Sequence, residues 1–103
     1  MSSTEIYVVS AVRSAIGGFG GALKDLPLAD LATALARAAI ERSGVAAEQI
    51  GHVVMGNVIP TEARDAYLGR VAAMNAGIPK ETPAFNVNRL CGSGLQAIVS
   101  AAQ

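Results

Sequence analysis

A-F-N-V-N-R-L-C-G-S-G-L-Q-A-I-V-S-A-A-Q, residues 84–103, changes its hydrophobic period at a cysteine. Ala84 to Asn88 reads as a short strand. Leu95 to Gln103 runs on without Gly, Pro or charge, which reads as a helix. Cys91, Gly92, Ser93 and Gly94 fill the turn between them. From Leu90 onward there is no charged residue at all. A helix without a charged face is normally buried on more than one side. This helix is therefore expected in the middle of a layered structure, not on its surface.

The same alternation runs upstream. Pro27 opens a helical pattern in which Leu28, Leu31, Ala32, Leu35, Ala38 and Ala39 recur at three- and four-residue spacing, and Gly44 is placed to cap it. His52 to Val58 reads as a strand ended by Pro60. Ala66 to Ala76 reads as a second helix, stopped by Gly77 and Pro79. Ile6 to Val12 is a β-branched run, expected to be a buried strand, and the glycine-rich stretch Arg13 to Leu26 that follows is a loop. The order β-α-β-α-β-α predicts an α/β fold with a parallel sheet and right-handed crossovers. Three strands and two outer helices cannot surround the charge-free third helix. Residues 1–103 are thus expected to be the front part of a larger multilayered protein.

Composition narrows the function. Eight Lys+Arg balance eight Asp+Glu in 103 residues, so no basic excess points to nucleic acid or a membrane surface. No stretch approaches the roughly 18 apolar residues of a membrane span. The N-terminus MSSTEIYVVSAVR resembles neither a signal peptide nor a presequence. One cysteine excludes an internal disulfide, and one cysteine with one histidine cannot make a structural zinc site. A cytoplasmic location and no metal are the expectations.

Cys91 is the candidate nucleophile. It stands where the third strand meets the third helix, and carboxyl ends of parallel strands are where α/β proteins bind ligands. Unpaired N–H groups at a helix start favour an anion, which is what thiolate chemistry needs. Gly92 and Gly94 leave room for an acyl group, and nearby amides could donate to an oxyanion. The competing reading is a small buried hydrophobe, the common fate of a free cysteine. Gly92 to Ala97 also fits G-x-G-x-x-[GA], but in the third β-α unit and without an acidic ribose partner, so a dinucleotide site is set aside. His52 begins its strand whereas Cys91 follows one, and in a parallel sheet those ends are opposite. A Cys–His pair is not expected. Arg64, Asp65 and Arg70 read as solvated or ion-paired helix residues, and Met55 and Met74 as core filler.

N-R-L-C-G-S-G-L-Q-A-I, Asn88 to Ile98, resembles the nucleophile motif of the thiolases, the acetyl-CoA acetyltransferases and β-ketothiolases. Val12 to Leu23 (V-R-S-A-I-G-G-F-G-G-A-L) is similar to that family's first loop, with Ser14-Ala15 where Thr-Pro is common. Gly56 to Ile59 is similar to its second strand end, and Gly69 to Pro79 to its second helix. The resemblance implies two similar halves, each βαβαβαββ, stacked as α-β-α-β-α with the third helices in the middle. Residues 1–103 would then be most of the N-terminal half, without its last two strands, the loop domain and the C-terminal half.

It further implies that Cys91 takes the acyl group from acyl-CoA and that its N–H donates to the oxyanion. Condensation of two acyl-CoA molecules, or thiolysis of a 3-ketoacyl-CoA in fatty acid metabolism, would follow. CoA would be substrate and product, with no permanently bound cofactor. The family's G-H-P, C-x-G-G-G and N-E-A-F motifs are absent from these 103 residues, so they are expected to be inactive alone. The resemblance also implies a dimer pairing residues 84–88 across a two-fold axis, extended in some members to a tetramer. A decarboxylating condensing enzyme of the same fold and a non-catalytic assembly module are the alternatives.

Overall fold

The computed structural model describes residues 4–103. Pro27 precedes helix α1, Leu28–Ser43, with Asp30 in its first turn and Arg42 in its last, each complementing the helix dipole. Ala29, Ala32 and Thr33 form its buried stripe. Gly44 ends it in the left-handed conformation, as expected, with φ 71°. A 3-10 turn at Ala47–Gln49 leads to strand β1, Val53–Gly56. A second 3-10 turn, Ala63–Tyr67, runs straight into helix α2, Leu68–Asn75. Strand β2 is Ala84–Val87, and helix α3 is Ser93–Ala102.

Gly77 does what its place in the sequence suggests. With φ at 90° it turns the chain off α2, its N–H donating to Met74 O (3.2 Å) while the Ile78 N–H reaches back to Ala73 O (3.0 Å). Those two bonds satisfy carbonyls the helix end would leave open, in a geometry an L side chain resists.

β1 and β2 pair in parallel, with Val53 opposite Ala84 and Gly56 opposite Val87. A small core of Ala29, Ala32, Leu68 and Ala72 joins α1 to α2, with Leu28, Met55 and Val71 packed against it. Such small side chains let the helices approach closely, and Gly69 continues this against the sheet: a Cβ there would sit 3.0 Å from Phe85 O. The carbonyl of Asn75 at the end of α2 accepts a 2.7 Å bond from Arg37 of α1.

Three expectations are corrected. Ile6–Val12 forms no strand and pairs with none among the described residues, and Ile6, Tyr7, Val8 and Val9 are exposed. β-branched side chains favour extended backbone, but a strand also needs a neighbouring edge to hydrogen-bond. The sheet therefore has two strands, not three, among the described residues. Helix α3 buries Ser93 and Ala97 on one side and exposes Leu95, Ile98 and Val99 on the other, the shortfall of covering elements expected from its charge-free sequence. Met74 is 46% exposed and belongs to no core, because it lies on the outer face of a short helix. Asp65, expected in solvent or an ion pair, is completely buried.

Candidate functional site: two junctions at one end of the sheet

The carboxyl ends of β1 and β2 lie side by side, since Gly56 pairs with Val87. Each strand leads through a short junction into a helix. The first runs from Asn57 to Tyr67. Its centre is Asp65, whose Oδ2 accepts three bonds: from Thr61 Oγ1 (2.6 Å), Thr61 N (2.9 Å) and Glu62 N (2.9 Å). The Thr61 hydroxyl holds the carboxyl below its usual range, with the two backbone N–H groups and the Arg64 charge acting in the same direction. Burial opposes them. The Asp65 carbonyl accepts from Asn57 Nδ2 (3.3 Å) and Asn86 Nδ2 (3.0 Å), tying the junction to both strands. Asn86 also accepts the Gly69 N–H at 2.7 Å, so one side chain of β2 fixes the start of α2. Sequence reading missed Asp65. The signal available was T-E-A-R-D, where a hydroxyl and a carboxylate four residues apart can close a turn.

The second junction runs from Asn88 to Gly92 and holds Cys91, a free and exposed cysteine. Asn88 Oδ1 accepts the Leu90 N–H at 2.9 Å, an Asx turn closing immediately after the strand. Leu90 has φ 48°, the one positive φ among the described non-glycine residues. For a branched apolar side chain this costs roughly 1–2 kcal/mol. Leu90 is 68% exposed, so packing does not hold it there. Hydrogen bonds do. Ser93 Oγ accepts from Arg89 N (2.8 Å) and donates to Leu90 O (2.7 Å), while Gly92 N and Ser93 N donate to Arg89 O and Leu90 O. Cys91 is thereby set one residue before the Gly92 cap of α3, at the tip of a tight turn.

Helix α3 reaches that position because Gly56 has no side chain. A Cβ on Gly56 would lie 2.9 Å from both the C and O atoms of Ser93, inside van der Waals contact with backbone. Gln96 N closes the helix onto Gly92 O at 2.9 Å. The first N–H groups of a helix have no partner within it, and Cys91 lies one residue before the cap of α3. A Cβ at Gly94 would meet nothing within 4 Å, so space is open there.

The other candidates fall elsewhere. His52 precedes β1 at the amino end of the sheet, its ring 5.3 Å from that of Phe85, so the separation from Cys91 inferred from strand direction holds. Arg64 pairs with Glu62 at 3.2 Å and Asp30 at 3.9 Å, and Arg70 donates to Thr82 O at 2.8 Å and Lys80 O at 3.4 Å. Both are structural. Met55 packs against the core as expected. Among the described residues no cluster of three or more His, Cys, Asp or Glu could hold a metal. A surface cavity of about 470 Å³ lined by Lys24, Leu26, Leu31, Thr61 and Glu62 does not include Cys91.

The chain as a whole has counterparts among known proteins. Residues 6–103 match the model of the thiolase N-terminal domain. The chain is 62% identical over 99 residues to a beta-ketothiolase of Cupriavidus necator, covering 96% of this chain and 25% of that protein. It is 45% identical over 98 residues to the mitochondrial 3-ketoacyl-CoA thiolase of Homo sapiens, covering 95% of this chain and 25% of that one. The crystal structure of that human enzyme in complex with CoA superposes with a TM-score of 0.90 over 94% of this chain and 25% of its own. The acetyl-CoA acetyltransferase of Bacillus anthracis gives a TM-score of 0.85 at 40% identity, covering 92% of this chain and 24% of its own. The chain thus spans about a quarter of the length of the relatives it matches. Sequence and fold agree: the chain belongs to the thiolase family and matches its N-terminal domain.

Proposed function

We propose that this chain supplies the nucleophile of a thiolase, with Cys91 as the acyl acceptor. The thiolate attacks the carbonyl carbon of an acyl-CoA thioester, and the charge that develops on the oxygen is met by backbone N–H groups, that of Cys91 among them. As the tetrahedral adduct collapses, the bond to CoA sulfur breaks and the CoA thiolate takes up a proton. A second acyl-CoA, deprotonated at its α-carbon, then attacks the acyl-cysteine. A carbon–carbon bond forms, and the cysteine is released. Run backwards, the same steps split a 3-ketoacyl-CoA with free CoA. CoA is thus substrate and product, with no resident cofactor, and the metabolism served is that of fatty acids in the cytoplasm.

The observation that carries this reading is the exposed Cys91 on a hydrogen-bonded, left-handed turn at the carboxyl end of a parallel strand. A cysteine serving only as a small hydrophobe would be buried. The names of the relatives favour thiolysis and condensation over decarboxylating condensation. The remaining acid and base groups, and the CoA pocket, are assigned to parts of the fold outside these 103 residues. In the full-length protein, Cys91→Ser is expected to lower acetoacetyl-CoA thiolysis by about a thousandfold or more while leaving the melting temperature unchanged, since a hydroxyl lacks a thiol's access to the anion. Turnover within tenfold of wild type would refute the assignment.

Self-association belongs to the same proposal. Among the described residues β2 pairs only with β1, so its outer edge presents unpaired backbone groups, and Phe85 is 42% exposed. A second copy pairing at residues 84–88 across a two-fold axis would cover that edge.

A further inference from the structure

We infer that Ser93, with Asn88, is a positioning residue for Cys91. The inference rests on the reading of Cys91 as the acyl acceptor and adds which groups aim it. Two peptide units precede the cysteine, and each is held by the same hydroxyl. Ser93 Oγ accepts the Arg89 N–H at 2.8 Å and donates to the Leu90 carbonyl at 2.7 Å. Ser93 is 5% exposed, so water does not compete for either bond.

From the other side, Asn88 Oδ1 holds the Leu90 N–H at 2.9 Å, while Asn88 Nδ2 reaches the Val58 carbonyl beyond β1 at 3.5 Å. Leu90 is thus gripped at both its N–H and its carbonyl. That grip keeps it at φ 48° although its exposed side chain contributes no packing to hold it there. Releasing it would let the residue relax to negative φ and rotate the following peptide. Cys91 would swing with it. The thiol and the Cys91 N–H are fixed to the same peptide, so both would leave their places relative to a thioester carbonyl.

A misplacement of about 1 Å at a reacting atom can cost on the order of a hundredfold in rate. The expected signature separates aim from stability and from intrinsic thiol reactivity. In the full-length protein, Ser93→Ala is expected to reduce kcat for acetoacetyl-CoA thiolysis by about ten- to a hundredfold, with KM within about twofold. Alkylation of Cys91 by iodoacetamide, a small reagent that approaches from many directions, should stay within about threefold of wild type. Asn88→Ala should give the same pattern more weakly, and Asn88→Asp, which keeps the Oδ1 acceptor, should restore most of kcat. Asn88 is exposed, so this pair carries the test even if Ser93→Ala fails to fold.

Unchanged kcat in Ser93→Ala or in Asn88→Ala would overturn the inference. So would a loss of kcat matched by an equal loss of alkylation or by a lower melting temperature, since that is the mark of a merely structural role. Failure of the acyl-acceptor reading looks different: Cys91→Ser would stay active, whatever Ser93 and Asn88 variants do.

Discussion

The two junctions at the carboxyl end of the sheet begin side by side and are built in opposite ways. The first buries its charged group: Asp65 is inaccessible, and three donors converge on one of its oxygens. The second exposes its reactive group and spends its buried hydroxyl, Ser93, on holding a strained backbone. Three donors on Oδ2 stabilise the anion, although the buried Oδ1 has no partner. A thiol held at the tip of a strained turn has no packing role to explain its placement. The contrast sets burial and perturbed titration at one junction against exposure and backbone strain at the other, where the proposed function puts the chemistry.

The second junction hangs from a strand whose outer edge is open, and charge on that strand should have the largest consequence. Phe85→Asp in the full-length protein is expected to convert a dimer to monomer in sedimentation velocity, because like charges would face each other across the two-fold axis. An unchanged sedimentation coefficient for this variant and for Val87→Asp would remove the strand from the interface.

Gly56→Ala tests whether the first strand's end supports the second junction. The added Cβ meets Ser93 backbone at 2.9 Å, so α3 must shift. A loss of about 1–3 kcal/mol in stability is expected. Thiolysis should also fall more than the unfolded fraction explains. Wild-type activity would mean that the close approach does not fix the cysteine.

Asp65→Asn sharpens the comparison from the other side and should be the mildest of the three. Its folded carboxyl is held below its unfolded value, so the stability it contributes is fully present above the ordinary carboxylate range. That stability is lost as pH falls through the depressed value. At neutral pH the variant is expected to raise the unfolded fraction by on the order of tenfold. The difference from wild type should close as pH drops below about 4. The pH dependence of thiolysis should not move. A shifted activity profile would give Asp65 a part in the chemistry.

Much of this arrangement was legible in the residues. The three- and four-residue spacing from Leu28 to Ala39, and the glycines at 44 and 77, locate both outer helices. The period change at Cys91 locates the junction that carries the thiol. What escaped depended on partners distant in sequence or on backbone torsion. Ile6–Val12 has strand composition, but composition does not supply an edge to pair with. Asp65 looks like a surface residue in a charged stretch, because its burial depends on how Asn57 and Asn86 hold its backbone carbonyl against the two strands. Leu90 carries no mark of positive φ, since the side chains that impose it belong to Asn88 and Ser93. The uncovered face of α3 was legible, since its charge-free sequence asks for more cover than these elements give: it packs on the sheet through one side, and the other shows Leu95, Ile98 and Val99.

The central claim is that the second junction, through Cys91, takes the acyl group. Full-length protein incubated briefly with acetyl-CoA, quenched in acid and digested would be mapped by mass spectrometry. The account predicts an acetyl adduct on the peptide containing Cys91, absent from Cys91→Ser and removed when free CoA is added before the quench. A protein that catalyses thiolysis yet shows no adduct at Cys91, or carries it on another residue, would contradict the account.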